Sequence, residues 1–412
     1  NEFQGFEQES RMFRVSSPLR RSLHLSRFTH SPTWHSSHRL LASSTHPPSF
    51  ASWRRNTASL WSTSRSVSAH ATTTSTASEA REGEANWSLV YSGIQPTGSI
   101  HLGNYLGAVR NWVDMQQEHS NLLFSIVDLH SLTSVAVTPA SSREQFRADV
   151  REMATTLLAC GLDPQRSKLY LQSSVSAHAE LMWLLSCHFP VGVLHQMTQY
   201  KEKARKQKEA NVGLLTYPLL MAADIMLYRS THVPVGEDQD EHLQVARDLC
   251  RRLNHLYGDF FPIPQPVFVS EQVKRVKSLR DGTKKMSKSD PSETACLFLT
   301  DDADSIAFKI RKAKTDSISE VFYNAESRPE VANLLDIFAA LTRQSGPELS
   351  KQYAGKQVSK LKSDLTDALV DHFAPIARRI EELNAQPDVV DQVLTEGADH
   401  AREIAHCTMD HL

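Results

Sequence analysis

The segment Leu89-Val90-Tyr91-Ser92-Gly93-Ile94-Gln95-Pro96-Thr97-Gly98-Ser99-Ile100-His101-Leu102-Gly103-Asn104 starts apolar and turns through Gly93, Pro96 and Gly98. It then enters a stretch from Asn104 to Gln117 whose apolar residues recur at helical spacing. Strand, glycine-rich loop and helix follow in that order. Glycine lets a nucleotide approach the main chain, and a helix N-terminus offers unpaired N–H groups and a positive dipole end to phosphate. His101 falls at this turn, placed to donate to a phosphate oxygen. Taken alone, the pattern also describes an ordinary strand-to-helix turn that needs glycine only for its conformation.

Far downstream, Lys285-Met286-Ser287-Lys288-Ser289 sets two ammonium groups three positions apart among small hydroxyl residues. Asp281-Gly282-Thr283 ahead of it and Asp290-Pro291 behind it predict a loop. Such a loop can bring its lysines onto an anionic group and stabilise charge that develops during reaction. A bare pair of lysines at this spacing is equally a solvated basic loop.

Apolar runs recur at Leu89 to Tyr91, Leu122 to Val127, Leu169 to Leu171 and His232 to Val235, with helical patterns between them. One of these covers Ser142 to Ala159, where Ser141 and Glu144 have capping-box spacing. Strands alternating with helices predict an α/β domain with a parallel sheet and right-handed crossovers. Ligands of such sheets bind at the carboxyl ends of the strands, where Tyr91, Asp128, His130 and Val235 fall. Beyond Thr300 the periodicity is helical almost throughout, with breaks expected near Gly346, Gly355, Pro375 and Pro387. Lys309, Arg311, Lys312 and Lys314 form a basic cluster there, either a phosphate contact or a solvated helix face.

Together the motifs resemble those of the class I aminoacyl-tRNA synthetases: His101-Leu102-Gly103-Asn104 stands for their HIGH signature, and the KMSKS signature is intact. The string GIQPTGSIHLGNYLGA, with Met221-Ala222-Ala223-Asp224-Ile225, Val233-Pro234-Val235-Gly236-Glu237-Asp238-Gln239 and Met197-Thr198-Gln199-Tyr200-Lys201-Glu202-Lys203, is similar to the tryptophanyl-tRNA synthetase family in particular. The resemblance runs from about Val90 to near the C-terminus. It implies a Rossmann-like parallel-sheet catalytic domain (86–280). A KMSKS loop and all-helical anticodon-binding domain (281–384) and a C-terminal helix returning to the catalytic domain (385–412) complete the expected arrangement. His101 in place of the threonine common in bacterial relatives leaves activity unthreatened. Leu412 comes a helical turn or two before such enzymes usually end, which bears on tRNA affinity or dimer packing.

The resemblance also implies site roles. Gln95, Pro96, Thr97, Gly103 and Asn104 would cradle ATP, as would Gly236, Glu237 and Asp238, with Val276 near the adenine. Lys285 and Lys288, with Met286, Ser287 and Ser289 in the same loop, would act on the leaving pyrophosphate, and Lys203 would reach a phosphate. His101, Lys203, Lys285 and Lys288 are therefore the expected catalytic groups. Lys203 also belongs to a basic run that a solvent-facing helix would explain, and Asp238 could equally cap a helix from Gln239 to Arg252. Mg²⁺ is implied by the triphosphate, which commonly keeps a hydrated metal instead of a protein cage; no residue is assigned to a metal.

The amino acid can be argued from the pocket. An indole offers one N–H in an otherwise apolar ring, so a selective site needs an apolar wall and one acceptor. Asp224, on an apolar stretch, is that acceptor, because a buried carboxylate without a partner is costly and the substrate would supply one. The plainer alternative is an aspartate hydrogen-bonded within the core. Met221, Val233 and Val235 would line the ring with Tyr91 nearby; by resemblance alone, His130 and Gln239 would hold the polar end. A phenol donates and accepts at one point and so calls for two polar groups. Here one aspartate stands among aliphatic neighbours.

Composition constrains the setting. The 412 residues carry a formal charge of −2, but from Met12 to Ser78 there is no Asp, Glu or Lys, only arginine among many Ser and Thr. This is the composition of an organellar transit peptide within a leader of about residues 1–85, with a nucleic-acid-binding arm as the competing reading. The expected destination is the mitochondrial matrix, with plastid or dual targeting equally compatible. Asn1 to Arg11 read as sequence upstream of the true start. Residues 1 to 78 contain nine Arg and three Glu, so the remainder stands near −8 and must meet tRNA through local basic patches. No apolar run reaches bilayer length. Five cysteines without CxxC spacing make a zinc ribbon and disulfides both unexpected. Expected partners are L-tryptophan, tRNA-Trp and a second copy of the chain, with no membrane.

Overall fold

Val90–Ile94 (β1), Leu122–Ile126 (β2), Ser167–Leu171 (β3), His232–Val235 (β4) and Gln265–Phe268 (β5) form one sheet in the order β3-β2-β1-β4-β5. Every pairing is parallel, with Val90 opposite Leu122 and His232, Leu122 opposite Ser167, and His232 opposite Gln265. The computed structural model describes residues 88–133, 141–206, 210–236, 240–268 and 276–412, all within the compact unit Arg81–Leu412. The leader lies outside the described residues.

β2 is buried at all five positions, as a central strand covered on both faces must be. β5, which is not among the apolar runs read from sequence, carries Pro266; as a terminal strand it can accommodate a residue with no N–H to donate. The chain winds outward from β1 to β3, then restarts at β4 on the other side of β1. That reversal opens a crevice at the carboxyl ends of β1 and β4.

The helix after the glycine-rich loop is less regular than expected. Leu102–Asn104 and Arg110–Glu118 are α-helical, and Tyr105–Val109 between them is a π turn. Such turns insert a residue and are frequent beside functional sites; here the loosened turn presents Gly107 and Ala108 to the crevice. The Ser142 to Ala159 pattern is realised as a helix over Ser141–Ala159.

After the sheet the chain is helical over Ala303–Lys312, Pro329–Thr342, Gly346–Gln352, Val358–Asn384 and Pro387–Met409. The break expected at Pro375 does not occur. Leu361, Leu365, Leu369, Phe373, Ile376 and Ile380 make a continuous buried stripe, and that packing holds the helix through the lost hydrogen bond. These residues share one apolar core with Val90, Phe124 and Leu157, so the helical region is packed onto the sheet layers. The last helix lies against β3: a Cβ on Gly397 would sit 2.0 Å from the Leu169 carbonyl oxygen, a contact open only to glycine.

Two of the four residues of the basic cluster are paired. Lys309, half-buried, forms an ion pair with Asp301 at 2.6 Å and lies over the Phe298 ring, while Lys314 pairs with Glu330 at 2.8 Å. Arg311, Lys312 and Lys314 are exposed, as on a solvated helix face.

Candidate active site

A cleft of about 1070 Å³ occupies the crevice between β1 and β4. It is lined by Tyr91, Gln95, Thr97, Asn104, His130, Lys203, Met221, Asp224, Val233, Val235, Gly236 and Lys285 among the residues anticipated from sequence. His101, Pro96, Gly103, Val276, Met286, Ser287, Lys288 and Ser289 do not line it. Glu237, Asp238 and Gln239 lie outside the described residues, as does any cap that Asp238 would provide.

The phosphate half is built from two loops tied together through the main chain. Leu102 N–H donates to Leu297 O at 2.8 Å and Leu299 N–H to Ile100 O at 3.0 Å, so the segment following the lysine loop clasps the His101 turn. Met286 N–H donates to Val276 O at 3.1 Å and Ser278 N–H to Lys284 O at 2.9 Å, making the lysine loop a small hairpin. Asn333 of the helical region holds that hairpin by its Lys277 main chain, accepting at 2.9 Å and donating at 3.0 Å. Gly282 packs where a Cβ would meet the Pro329 carbonyl carbon at 2.5 Å. Met286 is 1% exposed, so its side chain anchors the loop in the core and the lysines beside it remain outside. Ser287 and Ser289 hydrogen-bond each other at 2.9 Å.

Lys288 Nζ donates to Thr97 O at 2.8 Å, which brings the two signature loops into direct contact. His101 Nδ1 accepts from Asn104 N–H at 3.2 Å and caps the following turn. Burial first, and then the Lys288 and Lys285 charges, push its pKa down to about 4. A neutral ring with Nδ1 accepting carries its proton on Nε2, ready to donate to an anion. Gly103 lies between His101 and Val276: a Cβ there would stand 3.0 Å from His101 Cε1 and 3.7 Å from Val276 Cβ.

The amino-acid half is different in kind. Asp224 is 2% exposed on the Val212–Met226 helix and accepts from His178 Nδ1 at 2.6 Å, Gln172 Nε2 at 2.7 Å and His130 Nε2 at 2.9 Å. Burial alone would raise its pKa; the His178 and His130 interactions outweigh it and bring the pKa down to about 2. The expectation of an aspartate waiting for its partner is corrected: the carboxylate already has three. Val233, Val235 and Met221 supply the aliphatic wall. Tyr91 stacks on Tyr228 with ring centres 5.6 Å apart, and Tyr91 and Ser125 share a hydroxyl hydrogen bond of 2.6 Å.

Lys203 bridges the halves, its ammonium 4.5 Å from the centre of the Tyr217 ring at the cleft wall. Tyr217 OH in turn donates to Gln199 at 3.2 Å and hydrogen-bonds His242 at 2.6 Å. Sequence reasoning missed His178, Gln172, Tyr170 and Tyr228. Gln172 was findable, since it directly follows the carboxyl end of β3, where the same logic selected Asp128 and His130. His178 and the tyrosines carry no local signal; only the packing of three elements brings them together.

A doubly wound parallel sheet, a glycine-rich loop at its first strand and a lysine-bearing loop latched to it place the chain among α/β proteins with a site suited to a nucleotide at the carboxyl ends of the strands. Residues 85–374 match the family of tRNA synthetases class I (W and Y). The chain is 43% identical over 347 residues to the tryptophan--tRNA ligase of Brucella melitensis, covering 79% of this chain and 96% of that one. It is also 43% identical to the chloroplastic/mitochondrial tryptophan--tRNA ligase of Arabidopsis thaliana, over 78% of this chain and 81% of that one. The tryptophanyl-tRNA synthetase of Campylobacter jejuni, solved with ADP and tryptophan, superposes with a TM-score of 0.66 at 32% identity, covering 78% and 97% of the two chains. The chain belongs to the class I tRNA synthetases of the tryptophan and tyrosine group.

Proposed function

We infer that this chain acts as a tryptophan--tRNA ligase. ATP and tryptophan give tryptophanyl-adenylate and pyrophosphate, and the tryptophanyl group then passes to the terminal adenosine of tRNA-Trp. The observation that carries this reading is a cleft that joins Lys285, Lys203 and the glycine-rich loop to an acceptor set in an aliphatic wall. In the first step the tryptophan carboxylate attacks the α-phosphorus and pyrophosphate leaves. The chain needs to position two anions and neutralise growing charge, for which cations and N–H donors suffice without a protein nucleophile. Lys285, Lys288 and Lys203 serve that charge, His101 Nε2 donates to phosphate, and Asp224 receives the indole N–H. In the second step the nucleophile is the ribose hydroxyl.

Among the described residues no group of three His, Cys, Asp or Glu side chains is arranged to hold a metal. Mg²⁺ would enter as the companion of the triphosphate, which commonly keeps a hydrated metal. The helical region from Asp281 to Asn384 is the part assigned to tRNA. A second copy of the chain is the further partner that the family resemblance implies. No helix among the described residues is long and apolar enough to cross a membrane. The acid-free leader and the organellar Arabidopsis relative support action in organellar translation, in mitochondrion or plastid.

ATP–pyrophosphate exchange by the purified chain tests the function. Exchange that depends on tryptophan is expected. Exchange driven better by tyrosine, or no exchange at all, would overturn the reading.

A further inference from the structure

The donors around Asp224 divide into two sets. His130 lines the cleft; His178 and Gln172 do not, and both are wholly buried behind the carboxylate. The rear set converges on one oxygen, Oδ1, with His178 Nδ1 at 2.6 Å and Gln172 Nε2 at 2.7 Å. Among the described residues Oδ2 receives only His130 Nε2, at 2.9 Å. A carboxylate oxygen has two in-plane acceptor directions, so Oδ1 is saturated and Oδ2 keeps one.

Behind His178 the proton count continues. Tyr170 OH donates to Tyr228 OH at 2.8 Å, which leaves the single Tyr228 proton for His178 Nε2, also at 2.8 Å. With Nε2 accepting, the ring proton sits on Nδ1 and points at Asp224. Tyr170 OH stands 3.1 Å from the same Nε2 and acts on it through Tyr228, to which its own proton is given. Two buried hydroxyls thus fix the tautomer of a histidine that never reaches the cleft.

Resting on the reading that the chain activates tryptophan, we propose that His178 is a positioning residue for amino-acid selection. Locked by Tyr228 and Tyr170, it occupies Oδ1 and leaves Asp224 a single open acceptor, on Oδ2. One indole N–H satisfies that acceptor completely. A phenol could give its proton there, but its oxygen would meet a cluster whose donors all point inward. Selection then depends on the direction of every proton in the cluster as well as on the carboxylate.

The test compares tryptophan with 3-(3-benzothienyl)alanine, which keeps the ring shape and lacks the N–H, in pyrophosphate exchange. His178→Leu should raise the KM for tryptophan about tenfold and shrink the preference for tryptophan over the analogue by a similar factor, with the KM for ATP unchanged. His178→Asn, whose amide N–H stands close to the position of Nδ1–H, should restore most of that preference. Tyr228→Phe keeps the ring against Tyr91, removes only the tautomer-fixing hydroxyl and should lower the preference by a smaller factor; it also serves if His178→Leu does not fold. Tryptophan-dependent exchange in the unaltered chain with an unchanged preference in the folded variants overturns this assignment alone. Exchange without tryptophan dependence in the unaltered chain overturns the functional reading and the assignment with it.

Discussion

The two halves of the cleft handle charge in opposite ways. On the phosphate side the charges are cationic, and they sit on a loop: Lys285 is exposed, Lys288 rests on the Thr97 carbonyl, and the main-chain clasp beneath them carries the rigidity. On the amino-acid side one buried anion is held by three side-chain donors from three separate elements. On the proposed function, a group that follows a departing pyrophosphate benefits from being displaceable, and Lys288 holds only carbonyl and hydroxyl contacts with Thr97 to exchange for a phosphate. A group that must reject similar ring systems benefits from having nowhere to move.

Removing a phosphate-side cation should have the largest effect. Lys288→Ala is expected to lower the exchange rate by about two to three orders of magnitude, a magnitude typical of a lost transition-state contact, while the KM for tryptophan barely changes. Steady-state exchange kinetics check it, and a dominant KM effect would place Lys288 in ground-state binding instead. Asp224→Ala should do the converse, raising the KM for tryptophan by about ten- to a hundredfold with little change for ATP; equal losses for both substrates would erase the distinction between the halves. The smallest effect is on stability in acid. The Asp224 pKa is depressed, so its contribution is complete above the unfolded value and fades as pH falls from about 4 to about 2. The stability difference between the unaltered chain and Asp224→Asn should therefore shrink by about 2 kcal/mol across that window, measured by denaturant unfolding. A difference independent of pH would mean that the carboxylate is not held ionised.

The same contrast governs what could be read in advance. The phosphate half is contiguous in sequence: a strand, a glycine turn and a basic loop each carry their own chemistry, and the segments around Gln95 and Lys285 fall in one cleft as expected. Asp224 was equally visible as a lone charge on an apolar helix. Its surroundings were not, because His178 and Gln172 reach it only after the Ala177–Ser186 helix packs on the Val212–Met226 helix. β5 escaped notice, and its Pro266 signals against a strand wherever strand order is unknown; Pro375 misled because local propensity yields to a long buried stripe. Local signals exposed the chemistry; the network that aims it is a tertiary property.

The glycine contact between the final helix and β3 has a consequence for biogenesis. Both the amide and the carbonyl of Leu169 face Gly397, so the last helix shields the outer margin of the terminal strand. An uncovered margin of this kind offers a template for pairing with other chains. During synthesis β3 emerges long before residues 387–409 exist, so the nascent protein carries an open seam until that helix has been made. Any carrier that escorts the chain must guard that seam, and Gly397 marks where it finally closes.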